Sequence, residues 1–358
     1  MSDLQHWIRL AKLESPKKAI ALVDHFGGVD AVFGARTRDL MEVDGLSQKV
    51  ADKLQAMASQ SVDSEIEALE KIGARVVTYR DDDYPANLRQ IYDPPVALFV
   101  RGQLLESDRF AVGVVGTRRP SEYGKSMAFK ISRDLAQRGL TVVSGGARGV
   151  DTAAHTGALQ AGRTIVVLGC GIDVHYPYEN RGLFGKVAES GAIISEFVPG
   201  TRPDMWRFPV RNRLISGLSL GILVVESGLT GGAMITATLA GEQGRDVWAL
   251  PGTTDNEVSR GPHSLIKDGA RLAESADDIL NDLGLQDESN AQERPALPNN
   301  LTPDQKAVIG ILTLHPKHMD EIIAECKMTP AAASSTLTLL EMLGLVRRVP
   351  GNSYVRAV

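Results

Sequence analysis

From residue 111 onward the chain repeats one pattern six times: a short aliphatic or β-branched run, a glycine or serine turn near its end, then a helix-like stretch. The runs occupy residues 111–115, 140–143, 164–168, 192–195, 221–225 and 246–250. They are apolar at successive positions, so both of their faces must be covered, as in a buried parallel strand. The segments between them have the length of a crossover helix. The pattern predicts an α/β fold built on a doubly wound, mostly parallel sheet. Two earlier strands are expected over residues 74–79 and within 93–100, with a loop at 83–88 between them.

The flanks follow other rules. Over residues 1–65 apolar residues recur at helical spacing (Leu4, Ile8, Ala11; Ile20, Val23, Phe26; Val50, Leu54, Met57), broken by Gly27-Gly28, Gly34 and Gly45. This predicts a small helical domain of SAM or helix-hairpin-helix type. The stretch VDGLSQKVA at 43–51 has Ser47 where a hairpin's second glycine belongs, so helix packing is preferred there over DNA contact. Residues 66–284 form the expected extended Rossmann-like domain. Residues 285–300, nearly devoid of groups to bury, read as a linker. Residues 301–358 carry three helical segments (302–314, 318–325, 330–343) and two strands (345–349, 353–357), the order of a winged helix.

Thirty-nine basic against forty-four acidic residues leave a net charge of −5, which excludes a polycation that grips nucleic acid everywhere. Any polyanion must be held by a local cluster. The two cysteines, Cys170 and Cys326, lie far apart without a CxxC pair, so neither a disulfide framework nor a cysteine zinc site is expected. The seven histidines add no metal-binding spacing. Residues 1–20 lack a signal core and no run reaches the ~18 apolar residues of a membrane helix; a cytoplasmic protein without membrane contact is the expectation.

In an open α/β sheet, ligands bind beyond the carboxyl ends of the strands, where glycine turns and helix N-termini present unpaired N–H groups. Here those loops are GTRRP (116–120), SGGARG (144–149), GCG (169–171), SGLTGG (227–232) and PG (251–252). No GxGxxG follows the first strand, no Walker motif is present, and Ser144-Gly145 occupies the place where a dinucleotide site needs a carboxylate. No nucleotide cofactor is expected. Arginine accompanies the loops: Arg118, Arg119 and Arg148, then Arg202, Arg207, Arg211 and Arg213 in TRPDMWRFPVRNR (201–213), interleaved with Trp206 and Phe208. Guanidinium groups beside aromatic faces suit single-stranded nucleic acid held without sequence readout. The competing reading is that the aromatics fill core and the arginines are solvated.

Catalytic groups are weaker. GLSLG at 217–221 matches a hydrolase elbow in letters only, because it leads from a helix into a strand. Asp151 and His155 lie four apart on one predicted helix, a pairing better explained by a helix-start aspartate next to a surface histidine. No catalytic residue and no metal site is assigned.

Six motifs in order, GTRRP, SGGARGVDTAAH, GCGIDVHYPYEN, FPVRNRLISGLS, ESGLTGGAMIT and GRDVWALPG, resemble the DNA-processing protein A (DprA/Smf) family over about residues 74–284. The resemblance implies a protein that is not an enzyme. It implies binding of single-stranded DNA, dimerisation through the Rossmann-like domain, and loading of the RecA recombinase during natural transformation. It places Arg118, Ser144, Gly145, Gly146, Gly169, Arg211, Asn212 and Arg213 along the strand pocket, and the reading of the loops themselves adds Gly116, Arg119, Trp206 and Arg207 as candidate DNA-binding residues. It places His263, Leu265, Ile266 and Leu272 in a homodimer surface. The winged helix is a separate matter: its segment 330–343 contains no Lys or Arg, so tight duplex binding is not expected, although Arg347, Arg348 and Arg356 allow weak phosphate contacts and a protein-binding role is equally open. The rival enzyme is a nucleotide phosphoribohydrolase of a Rossmann-like class, and a second rival is an adaptor that binds proteins through its helical ends.

Overall fold

The computed structural model describes residues 2–13, 15–285, 301–313, 316–349 and 352–356. The expected linker lies, apart from Leu285, outside the described residues. The chain divides into two compact units, residues 1–279 and 280–358. No described helix is long and apolar enough to cross a membrane.

In the first unit, six helices come first: α1 (Ser2–Ala11), α2 (Pro16–Phe26), α3 (Val29–Gly34), α4 (Thr37–Leu40), α5 (Gln48–Ala58) and α6 (Asp63–Ile72). Gly73, at φ +63°, ends α6 and turns the chain directly into a strand. The strands are β1 (Ala74–Thr78), β2 (Ala97–Gly102), β3 (Ala111–Val115), β4 (Thr141–Ser144), β5 (Thr164–Leu168), β6 (Ala192–Ser195), β7 (Gly221–Val224), β8 (Asp246–Ala249) and β9 (Arg271–Leu272). Their order in the sheet is β1-β2-β6-β5-β4-β3-β7-β8-β9. Strands β3 to β9 run parallel, while β1 and β2 are antiparallel additions at one edge. From β3 the chain winds outward through β4, β5 and β6, then returns to β7 on the other side of β3. That return is the topological switch at which α/β sheets place ligands.

The crossovers are α8 (Glu122–Gln137), α9 (Val150–Ala158), α10 (Arg181–Ser190), α11 (Arg207–Leu218) and α12 (Gly232–Glu242), after a short α7 (Ala86–Arg89). Strand β5 shows why its run is apolar throughout. Ile165 and Val167 join Leu214, Ile215 and Leu218 of α11 in one core, while Val166 and Leu168 join Phe184 and Val187 of α10 in another. That second core also contains Ile8, Val62 and Leu69, so α1 and α6 lie on the sheet as a covering layer. Helices α1 to α5 close around their own cluster, which reaches Val96 and Ala97.

Residues 261–272, expected as one amphipathic element, fall in two: α13 (Arg260–Lys267) and the edge strand β9. Gly269, at φ +101°, breaks the helix, and Arg271–Leu272 then find main-chain partners in Trp248 and Ala249. A final helix, α14 (Ala276–Leu283), follows.

The second unit holds α15 (Pro303–Ile311), β10 (Lys317–His318), α16 (Met319–Cys326), α17 (Pro330–Met342), β11 (Val346–Val349) and β12 (Ser353–Arg356). Thr302 and Thr329 accept N–H bonds at the starts of α15 and α17, each followed by proline at the first helical position. The expected hairpin is present, and β10 joins it in the order β10-β12-β11. A two-residue strand carries too little pattern for periodicity to detect.

Strand β7 begins with a glycine that packing requires. A Cβ at Gly221 would sit 2.2 Å from Cζ3 of the buried Trp248 and 2.7 Å from the Asp246 carbonyl oxygen. Gly221→Ala is therefore expected to lower stability by about 1–3 kcal/mol, read as a shifted urea midpoint with an unchanged m-value.

Candidate nucleic-acid interface

The carboxyl ends of β3, β4, β5 and β7 open onto two adjoining cavities, of about 470 and 340 Å³. They share Arg118, Ala147, Phe208 and Arg211. The Phe208 ring is central to this wall. The Arg118 guanidinium carbon lies 5.4 Å from its centroid, and Tyr176 stacks on it at 5.6 Å and 27°. A Cβ at Gly169 would be 2.8 Å from Phe208 Cδ1, so that glycine lets the ring lie against the end of β5. Arg119 and Arg148 complete the rim of the larger cavity. Arg118 and Arg119 are exposed and form no ion pair among the described residues. Arg148 meets Glu179 at 3.2 Å with both side chains more than half exposed, a contact that water and salt largely screen.

The loops behind this wall are fixed from within the fold. The main-chain N–H of Thr117 donates to the Glu226 carbonyl at 2.7 Å, and the buried Glu226 carboxylate accepts from the N–H and hydroxyl of Ser121. Asn180 donates to the Gly146 carbonyl at 2.9 Å. The loops after β3, β4, β5 and β7 are thus tied to one another before any ligand arrives.

Helix α11 divides the arginine-rich motif between two faces. Phe208, Arg211, Asn212 and Ile215, spaced i, i+3, i+4 and i+7, line the second cavity. Trp206, Arg207, Val210 and Arg213 line a different cavity, against residues 11–13, Pro16, Asp93 and residues 95–97. The expectation that all of these residues share one rim is corrected accordingly. Arg213 is buried, donating to Asp93 at 2.8 Å and Glu196 at 2.6 Å, so its charge is already neutralised. Trp206 packs edge-on against Phe197, and Arg207 lies over both rings. Arg211 is also buried: its Nη1 donates to the carbonyls of Gly145 and Val167, and burial lowers its pKa to about 10. It positions the wall and offers little to an outside phosphate.

Two loop residues are corrected as well. The Ser144 hydroxyl donates to the Val114 carbonyl at 2.6 Å, joining β4 to β3. Gly146, at φ +70°, lies over Val166 and Phe184. Both are buried and line neither cavity. Gly116 and Gly145 do line them, and a Cβ on either would meet Val150 or Arg211 within 3 Å; their glycine character serves packing. Tyr176 is absent from the expected set, and Phe208 enters it only as one of the aromatics interleaved with arginine. The signal for them was an aromatic residue inside each of two motifs bordering strand-end loops.

The candidate catalytic groups are spent structurally. Ser219 donates to the Ile215 carbonyl at 2.8 Å. The surface position expected for His155 is overturned: it is fully buried, with Nδ1 2.7 Å from the Thr164 hydroxyl, and burial lowers its pKa to about 3. Asp151 accepts from the Ala147 N–H at 3.1 Å, and burial raises its pKa against the opposing pull of Arg211.

A family model described as DNA recombination-mediator protein A matches residues 75–284, and one described as the DprA winged helix domain matches residues 292–352. The chain belongs to the DNA recombination-mediator protein A (DprA/Smf) family. Protein Smf of Escherichia coli is 36% identical over 99% of this chain and 96% of its own length. DNA processing protein DprA of Bacillus subtilis is 41% identical over 59% of this chain and 72% of its own. Among solved structures, DprA from Streptococcus pneumoniae aligns with TM-score 0.69 and 34% identity, covering 78% of this chain and 97% of that one. DNA processing protein A from Helicobacter pylori, solved for its single-stranded DNA binding mode, aligns with TM-score 0.54 and 30% identity, covering 59% and 95%.

The residues expected at a DprA-type dimer surface do not all face outward. Leu265 packs into the chain's own core, and His263 Nε2 lies 3.0 Å from the Gly252 carbonyl oxygen. Leu272, on the edge strand β9, is 48% exposed, and Ile266 is half-buried. In the second unit, α17 exposes Leu339 and Met342 in place of basic residues.

The buried His155 has a measurable consequence. Below pH 6.5 the unfolded chain protonates this ring while the folded one does not, until about pH 3. Stability is therefore lost as pH falls through that window, by up to about 1.4 kcal/mol per pH unit. Asp151, with its raised pKa, acts in the opposite sense and is common to both proteins in a comparison with His155→Gln. Denaturant titrations between pH 6.5 and 4 are expected to show a shallower decline for the variant.

Proposed function

We propose that the protein binds single-stranded DNA without sequence readout along the carboxyl edge of its sheet, acts without catalysis, and assists loading of the RecA recombinase in recombination and natural transformation. One observation carries this reading: Arg118 and Arg119, exposed and without ion pairs among the described residues, line one cavity together with an aromatic stack, Tyr176 on Phe208, and Arg118 lies over the Phe208 ring. Arg118 and Arg119 supply phosphate contacts that are strong because the guanidinium is planar and permanently charged. Phe208 and Tyr176 supply faces on which any base stacks. Gly116, Gly169 and Asn212 border the path, and Arg148 extends it. The Helicobacter pylori relative, solved for its single-stranded DNA binding mode, supports the same ligand here. Against a phosphoribohydrolase reading, Asp151, the carboxylate that the helix after the second loop offers, is buried against Arg211 and the main chain.

Fluorescence anisotropy with labelled oligothymidine tests the reading. Log affinity should fall with log salt by about 0.7 per phosphate neutralised, and the Arg118→Ala/Arg119→Ala double variant should reduce that slope by roughly 1.4. Phe208→Ala should cost about 1–3 kcal/mol of binding at every salt concentration. Absence of binding at low salt would sink the proposal, and release of free base from nucleoside monophosphates would favour the enzyme.

We further propose a two-fold homodimer in which the edge strand β9 meets its symmetry mate through Leu272 and Ile266 and sets two rims side by side. Leu272→Asp is expected to yield monomers in sedimentation velocity with an unchanged circular dichroism spectrum. A wild-type chain that sediments as a monomer at micromolar concentration would refute it.

A further inference from the structure

The carboxyl edge of the parallel strands continues past β6. Strand β2 runs antiparallel to β6, with Phe99 opposite Ser195, so its amino end and the loop before it lie beside the carboxyl end of β6. Two strand spacings of about 4.8 Å separate β5, where Tyr176 stacks on Phe208, from β2. The loop before β2 carries Tyr92, 80% exposed, and Lys17 of α2 lies over its ring with Nζ 3.1 Å from the centroid. The loop after β6 carries the exposed Arg202. Pro16, Asp93 and Thr201, the chain neighbours of Lys17, Tyr92 and Arg202, line one cavity, so these three residues border a single stretch of surface.

Lys17 and Arg202 have no carboxylate partner among the described residues. The acids around them are engaged elsewhere: Asp93 accepts from Arg213 at 2.8 Å, Asp204 lies 3.8 Å from Arg207, and Asp173 accepts from the Gly200 N–H at 2.8 Å. The two cations are therefore free to meet an anion. Lys17 covers one face of the Tyr92 ring and holds it by cation–π attraction, which leaves the other face to a flat ligand. An open ring between unneutralised cations repeats the chemistry of Arg118 over Phe208. It suits a chain in which bases alternate with phosphates, and it stands in line with the proposed strand path.

We propose that a strand bound at the sheet edge continues past β6 to the N-terminal helices, where one base stacks on Tyr92 and the neighbouring phosphates meet Lys17 and Arg202. The proposal rests on strand binding at the sheet edge. It gives the N-terminal helices a part in the footprint and adds a second stacking position that none of the strand-end motifs between residues 111 and 252 contains.

Labelled oligothymidines of increasing length are titrated against the full chain by anisotropy. Affinity is expected to rise by about fivefold or more once an oligomer is long enough to reach from Phe208 to Tyr92. Tyr92→Ala should remove that gain and leave the shortest oligomers that bind within about twofold of wild type, whereas Tyr92→Phe, which keeps the ring, should retain it. The Lys17→Gln/Arg202→Gln double variant should lower the salt slope by roughly 1.4 for long oligomers and leave it unchanged for short ones. The substituted side chains are exposed, so circular dichroism should be that of the wild type. No gain with length, or a loss in Tyr92→Ala that is equal at every length, overturns the extension and leaves binding at the edge intact. A gain that persists in Tyr92→Ala but vanishes in Leu272→Asp belongs to a strand spanning two chains and overturns it as well. If no oligomer binds at low salt, both proposals fall together.

Discussion

The sheet edge depends on one buried cation. Arg211 projects from α11 into the fold, where its Nη1 donates to carbonyls at the ends of β4 and β5 and its charge is balanced by Asp151 at the start of α9. A guanidinium taken out of water is costly unless its hydrogen bonds and counter-charge are supplied in place. This arrangement supplies them from separate segments, two strand ends and a crossover helix. The consequence is positional. With Arg211 seated, the register of α11 over the sheet is fixed, and Phe208, one turn earlier, must lie across the end of β5.

That constraint explains the glycines better than phosphate approach does. Gly145 leaves room for Arg211 and Asp151, Gly169 for Phe208, and Gly116 for Val150. Each removes a Cβ so that two segments of the protein come together, and the open surface that results belongs to side chains. What this edge offers a ligand is accordingly its exposed guanidiniums and rings, with main-chain N–H groups already committed in part to Glu226 and to neighbouring loops.

The sheet was legible because burial on both faces writes an unbroken apolar run into each central strand. The strands at 111–115, 164–168 and 192–195 have the expected bounds, and the others fall within one or a few residues. Short elements such as β9 and β10 were not legible, since two residues paired to a neighbour carry no period of their own. The site was legible as a region and misread in detail. Composition marks residues 201–213 as basic and aromatic, but only helical phase separates Phe208, Arg211 and Asn212 from Trp206, Arg207 and Arg213. Whether an arginine is free depends on carboxylates far away in the chain, Asp93 and Glu196 for Arg213, and a local motif does not contain that information.

The partition of charge also bears on how the molecule treats a polyanion. A net charge of −5 gives no long-range attraction for DNA, and among the described residues the arginines of the strand-end motifs that stand exposed without an ion pair are Arg118, Arg119 and Arg202. A strand held by so few phosphates is sensitive to salt and gains little from electrostatics at physiological ionic strength. On the proposed reading, stacking would then be the larger share of the binding energy, because it is insensitive to salt and is repeated for every base that meets a ring. On the proposed reading, a weakly charged surface would retain a strand by engaging its bases on Phe208 and Tyr176, and the proposed association through β9 would add avidity without adding charge.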